Sequence, residues 1–134
     1  MADYTKQNLR SEVEDSAPKF GFAPNLEAHF AAPALELSKS AVSYQRLAPN
    51  FRTPFGHKHH QQEELYVILE GSARVKLDDE IVELGELDAL RIPPEVMRCV
   101  EGGPDGVALL AFGAPNTGAS PAEDTEMVPE WWSD

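Results

Sequence analysis

Gly56-His57-Lys58-His59-His60-Gln61-Gln62-Glu63-Glu64-Leu65-Tyr66-Val67-Ile68-Leu69-Glu70-Gly71 is the stretch on which the fold and chemistry of this chain turn. Three of the chain's four histidines fall between positions 57 and 60, and a carboxylate, Glu64, opens a strand-forming run that a glycine closes. On an extended strand His57 and His59 project to one face, about 6–7 Å apart along the chain, so their rings can converge on a single ion. Glu64 follows His59 at an odd offset, which on an unbroken strand would send it to the opposite face. Residues 60–63 are therefore expected to turn or bulge, and Gln61-Gln62-Glu63 is polar enough to do so. Glu64, Tyr66 and Ile68 then face the interior, while Leu65, Val67 and Leu69 face outward onto another layer or subunit. With both faces apolar, the strand is expected to be buried on both sides.

Downstream, short strands recur between regular breaks. Glu64–Leu69 is followed by a turn at Gly71, and Ser72–Leu77 pairs through Asp78-Asp79-Glu80 with Ile81–Leu84. Ala89–Ile92 ends at Pro93-Pro94, and Val96–Glu101 turns through Gly102-Gly103-Pro104-Asp105-Gly106 into Val107–Phe112. Upstream, Ala41–Leu47 is the first convincing strand. Such spacing predicts an all-β sandwich or barrel, not alternating βα units. Residues 1–40 read as an arm wrapped over the barrel, with Asn25 capping a short helix over Leu26–Ala32 that Pro33 ends. Residues 114–134 read as an acidic tail, and the pair Trp131-Trp132 is expected to pin it back, because two indoles in water would waste a large apolar area. Together these make one domain: arm 1–40, barrel 41–113, tail 114–134.

A chain of 134 residues has room for one core. Its 11 Lys and Arg against 23 Asp and Glu give a net charge of −12, which repels phosphate backbones and anionic lipid, so neither nucleic acid nor membrane is expected as a partner. A single cysteine, Cys99, excludes an internal disulfide, and the polar amino terminus lacks the apolar core of a signal peptide, so a cytoplasmic location is expected. Cys99 itself reads as a small buried hydrophobe, and His29 as a surface or packing histidine.

His57-x-His59, four residues, Glu64, six residues, Gly71 is similar to the first motif of the cupin superfamily, and Gly85, Asp88, Ile92, Pro93 and Pro94 look like the second. The resemblance covers roughly residues 40–113. It implies a single antiparallel jelly-roll barrel that dimerises, with His57, His59 and Glu64 as metal ligands on its inner wall. The second motif departs from the family pattern: Glu95 stands where a glycine is usual, and Arg98 where the fourth ligand, a histidine, is placed.

Arg98 divides the functional readings. A guanidinium stays protonated and donates no lone pair to a metal. Facing inward, it repels a divalent ion by about 4 kcal/mol per unit-charge pair at 4 Å and an effective dielectric of 20. Either Glu64 pairs with Arg98 and the barrel is metal-free, or a substrate anion sits between Arg98 and one divalent ion held by His57, His59 and Glu64. Iron(II), zinc, nickel and manganese all suit two imidazoles and a carboxylate with open positions. The chain thus reads as a barrel that binds a small polar or anionic ligand, with Tyr66 and Tyr44 able to supply hydroxyls. The alternative is a metal-dependent enzyme, of oxygenase or isomerase type, that acts on a small carboxylate oriented by Arg98.

Overall fold

A computed structural model describes residues 2–116 and 121–134, so residues 117–120 of the expected tail lie outside the described residues. Among these described residues eight strands occur, in the order β1 (Leu26–Phe30), β2 (Ala41–Leu47), β3 (Phe55–His59), β4 (Glu63–Leu77), β5 (Glu80–Leu84), β6 (Ala89–Ile92), β7 (Arg98–Ala114) and β8 (Thr125–Pro129). Two one-turn helices, α1 (Ala32–Leu35) and α2 (Pro121–Asp124), and a 3-10 turn at Ala17–Phe20 complete the described elements. The strands form one curled antiparallel sheet, the all-β barrel expected. No described helix is long and apolar enough to cross a membrane.

The frame is the ribbon of β4 and β7, paired from Glu63 opposite Ala114 to Leu77 opposite Arg98. One half of it carries β2 and then β1 on residues 107–113 of β7, with β6 on residues 64–67 of β4. The other half carries β5 on residues 73–77 of β4, and β3 beside Arg98 with β8 outside it. Inside the curl lie Tyr66, Ile68, Val75, Ile92, Leu109 and Ala111, all buried in one core. Alternation on β4 is as read: Tyr66 and Ile68 point in, Leu65 and Leu69 out.

Three expectations are corrected. Leu26–Phe30 is strand β1, not a helix, because a seven-residue helix is marginal alone whereas pairing with β2 satisfies its backbone and drops Leu26 and Ala28 into the core. Gly71 and Gly102–Gly106 do not turn the chain. Both strands run on through them, and four residues, Gly103–Gly106, stand opposite Ser72 alone, which is a bulge that bends the ribbon. Finally, β4 is buried on its inner face alone within one chain, with Leu65 and Leu69 each 38% exposed outside.

The end of the chain lies against the barrel. β8 pairs with the whole of β3, from Phe55 opposite Pro129 to His59 opposite Thr125. Trp132 is buried beneath the Arg52 guanidinium, 4.1 Å from the ring centroid, with Arg74 5.2 Å away. Glu101 holds both arginines, at 2.9 Å from Arg52 Nε and 2.8 Å from Arg74 Nη2. Arg52 also donates to the Trp132 carbonyl at 2.9 Å.

The bend rests on Gly71, whose φ of +75° is left-handed and whose added Cβ would lie 2.1 Å from the Gly106 carbonyl oxygen. Gly21 has φ +78° with nothing within 4 Å of an added Cβ. Gly21→Ala should therefore cost only the backbone term, about 1 kcal/mol, and Gly71→Ala that plus the clash with backbone, about 3 kcal/mol or more. Urea denaturation of the two variants checks this, and equal losses would mean that Gly71 does not set the bend.

Candidate metal centre

β3 delivers His57 and His59 to the inner face, as the two-residue period requires. The chain then leaves the strand over residues 60–62, and β4 restarts at Glu63, so Glu64 rejoins the histidines despite its odd offset. Arg98, the first residue of β7, is opposite His57 on β3 and Leu77 on β4. Four side chains expected near the site thus converge: His57, His59, Glu64 and Arg98.

A single oxygen is the meeting point. Glu64 Oε1 lies 3.2 Å from His57 Nε2, 3.2 Å from His59 Nε2 and 2.6 Å from Arg98 Nη1. Two donors each about 2.1 Å from one ion stand about 3.0 Å apart at a right angle and about 3.4 Å apart at the tetrahedral angle, so both 3.2 Å separations fit a shared ion. The three residues form a group able to hold a metal, their ligand atoms all within 4.8 Å of one another. Donor chemistry agrees, since two imidazoles and a carboxylate suit a divalent transition metal.

Arg98 is wholly inaccessible to solvent and caged. Its Nε donates to Val96 O at 3.1 Å, and its Nη2 donates to Pro93 O and Val96 O at 2.8 Å each. With Nη1 also donating to Glu64, one N–H at most is left for another acceptor. A two-pronged grip on a substrate carboxylate would require Arg98 to give up contacts that the turn after β6 depends on.

Behind His59 stands a residue with no counterpart in the sequence reading. Asp124 Oδ2 lies 3.0 Å from His59 Nδ1, and both side chains are 9% exposed. The same carboxylate accepts the backbone N–H of Gln61 at 2.9 Å and of Gln62 at 3.2 Å, and the Asp124 carbonyl accepts that of His60 at 2.8 Å. Nothing in the local sequence marks Asp124, because it reaches His59 across 65 positions through the pairing of β8 with β3.

The remaining residues separate. Tyr66 is buried on the inner wall, and burial followed by the negative charge of Glu64 pushes its hydroxyl pKa well up, so the proton stays on. Tyr44 belongs to the outer face, where its hydroxyl accepts from Arg46 Nη1 at 2.8 Å. His29 is buried between Val13 O and Glu27, each 2.7 Å from a ring nitrogen, the packing role read for it. Cys99 faces away from the site toward Thr53, and burial raises its pKa.

Known proteins share this architecture. The family model for a cupin domain matches residues 43–106. A cupin protein of Bacteroides fragilis is similar in structure, with 26% identity and a TM-score of 0.70 over 90% of this chain and 91% of that one. Oxalate decarboxylase of Bacillus subtilis is 20% identical with a TM-score of 0.76, over 96% of this chain but 33% of that one. Among curated sequences, an uncharacterised protein of Methanocaldococcus jannaschii is 42% identical over 45 residues, a match spanning 34% of this chain and about a third (36%) of that protein. These structural relatives carry the jelly-roll barrel to this chain.

Two groups at the centre make stability depend on pH. Burial lowers the His57 pKa from its ordinary 6.5 and outweighs the opposing pull of Glu64. Burial alone would raise Glu64, but its contacts with the His57 and His59 rings more than offset it and hold the carboxyl well below its ordinary 4.5. In both cases the unfolded chain takes up its proton at higher pH than the folded one, so stability falls as pH falls. For metal-free protein, urea denaturation should show a decline starting near pH 6.5 from His57 and a further one below about 4.5 from Glu64. His57→Gln should flatten the first decline, and a variant as acid-sensitive as wild type between pH 7 and 5 would remove His57 as its source.

Proposed function

The chain belongs to the cupin superfamily, and from that premise we propose that its barrel holds one divalent metal ion on His57, His59 and Glu64 and binds a small polar or anionic molecule beside it. The observation that carries this is the shared Glu64 oxygen, equidistant at 3.2 Å from two imidazole nitrogens. A bound ion would supply a Lewis-acidic pole with open positions. Arg98 serves as the counter-ion that holds Glu64 in place, and the protonated Tyr66 hydroxyl is the inner-wall donor for a ligand. With Arg98 cationic, Glu64 and Asp124 anionic and the imidazoles neutral, a divalent ion leaves one net positive charge, which favours an anionic ligand over a cationic one.

A second reading has its own support. The 2.6 Å contact between Arg98 Nη1 and Glu64 Oε1 is a short charge-assisted hydrogen bond that satisfies both groups without a metal. A metal-dependent enzyme acting on a small carboxylate fits the cluster equally well, provided a group other than the caged Arg98 orients the substrate.

Metal analysis of untagged protein, grown with iron, zinc, nickel and manganese supplied, decides between a metal-holding and a metal-free barrel. About one ion per chain is expected, lost in His57→Ala and His59→Ala; far less than one ion in wild type overturns the proposal. Arg98→His is expected to raise metal affinity by about tenfold or more, since it removes a repelling charge and adds a donor. It should also lower stability by about 3 kcal/mol, because breaking a buried pair also frees the carbonyls around it.

We further propose that the barrel works as a homodimer. Val42, Phe112 and Leu65 lie side by side across β2, β7 and β4 on the outer face, and Phe112 and Leu65 are each 38% exposed. A second copy covering that row would give β4 its other buried face. Light scattering should show a dimer at micromolar concentration and a monomer for the double variant Leu65→Asp, Phe112→Asp. A monomeric wild type would end this proposal.

A further inference from the structure

We infer that Asp124 is the positioning residue of the metal centre: it fixes His59 with Nε2 turned toward the site and holds the 60–62 turn that brings Glu64 back to the same face. The inference rests on the metal-site reading of His57, His59 and Glu64. Its basis is geometric, because one carboxylate bridges the two ligand-bearing segments.

The first contact is with His59. Its ring has Asp124 Oδ2 at 3.0 Å from Nδ1 and Glu64 Oε1 at 3.2 Å from Nε2. A neutral imidazole carries one proton, and the closer carboxylate takes the N–H. Nε2 is then left with its lone pair aimed at the point shared with His57 and Glu64, which is the tautomer a ligand needs. Without Asp124 the proton would go to Nε2 and the Glu64 oxygen, closing the site with a hydrogen bond. Thr125 Oγ1, 3.5 Å from the same Nδ1, is too distant to replace the carboxylate.

The second contact is with the turn. Glu64 is five positions after His59 and would point away if the strand ran straight on. The chain avoids this by leaving the strand at residues 60–62, and the three freed N–H groups of His60, Gln61 and Gln62 all go to Asp124. Asparagine has one acceptor oxygen where aspartate has two, so Asp124→Asn must leave either Gln61 N–H or the His59–Gln62 side without its partner. Asp124 is itself held in place because Thr125, the next residue, is paired with His59 on β3. Its charge adds a further effect, since Asp124 is the second anion opposing Arg98 near the ion.

Two measurements test the inference, and they fail separately from the metal-site reading. In metal-free wild type at pH 8, nitrogen-15 NMR of His59 should show Nδ1 protonated and Nε2 bare; a ring protonated at Nε2 overturns the inference whatever the metal content. Zinc affinity, measured by competition with a chromophoric chelator, should fall about 10- to 100-fold in Asp124→Asn and recover in part in Asp124→Glu. The Asp124→Asn ring should in parallel gain the Nε2–H form. If wild type binds zinc and Asp124→Asn binds it equally with an unchanged His59 tautomer, Asp124 is a structural residue of the tail and the inference is wrong. Should Asp124→Asn fail to fold, the wild-type tautomer still decides. A wild type that binds no metal removes the metal-site reading and leaves the tautomer result standing.

Discussion

The buried ion pair between Arg98 and Glu64 is the constraint to which the centre of the barrel is built. A guanidinium with no solvent access is costly to bury unless its donors are occupied. This chain meets the condition with Glu64 on one side and the carbonyls of Val96 and Pro93 on the other, Pro94 O adding a longer contact at 3.2 Å. Pro93 and Pro94 end β6, and the carbonyls they turn inward are satisfied by Arg98, so the side chain staples the turn that starts β7. That position in the fold makes Arg98 a fixed charge of the site, not a mobile arm.

Everything else at the centre depends on that fixed positive charge. Taken alone, it opposes a divalent ion by several kcal/mol at an effective dielectric near 20. Glu64 answers it but is shared with both histidines, so one carboxylate cannot be credited twice. Asp124 adds a second negative group on the far side of His59 at the same level of burial. The wider charge of −12 helps attract cations to the surface, yet over a Debye length of about 8 Å it is screened and cannot substitute for a carboxylate in place. Local groups therefore decide whether the centre takes a metal.

Legibility of the sequence divides along the same line between local and distant. The period of two on β4 makes the inward set Glu64, Tyr66 and Ile68 readable, and parity alone requires the polar turn expected over residues 60–63, which the structure narrows to 60–62. Punctuation was ambiguous: Gly71 and Gly106 mark a left-handed backbone, but nothing local says whether the chain reverses there or only bends. Leu26–Phe30 shows the converse, a segment with helical composition drawn into a sheet by the unpaired edge of β2. Tyr44 kept strand alternation and still lies outside, because which face of β2 is inner depends on its pairing with Leu109 and Ala111 through Gln45 and Ser43. Arg98 was legible as a missing ligand, whereas its cage of carbonyls was not.

Asp124 carries the consequence furthest. The family model matches residues 43–106, which contain both histidines, Glu64 and Arg98 but stop short of Asp124. Barrels alike over that region can therefore differ in the tautomer of the second histidine and in the charge behind it, according to the segment that comes after the last barrel strand. In this chain that segment is β8, laid along β3 in register and closed by Trp132 against Arg52 and Arg74. Those contacts cover the outer surface of the barrel, yet the residue just ahead of β8 reaches through to the inner one. The carboxy-terminal segment thus meets the barrel at two levels: aromatic and ionic contacts fasten it outside, and Asp124, just ahead of β8, contacts His59 inside.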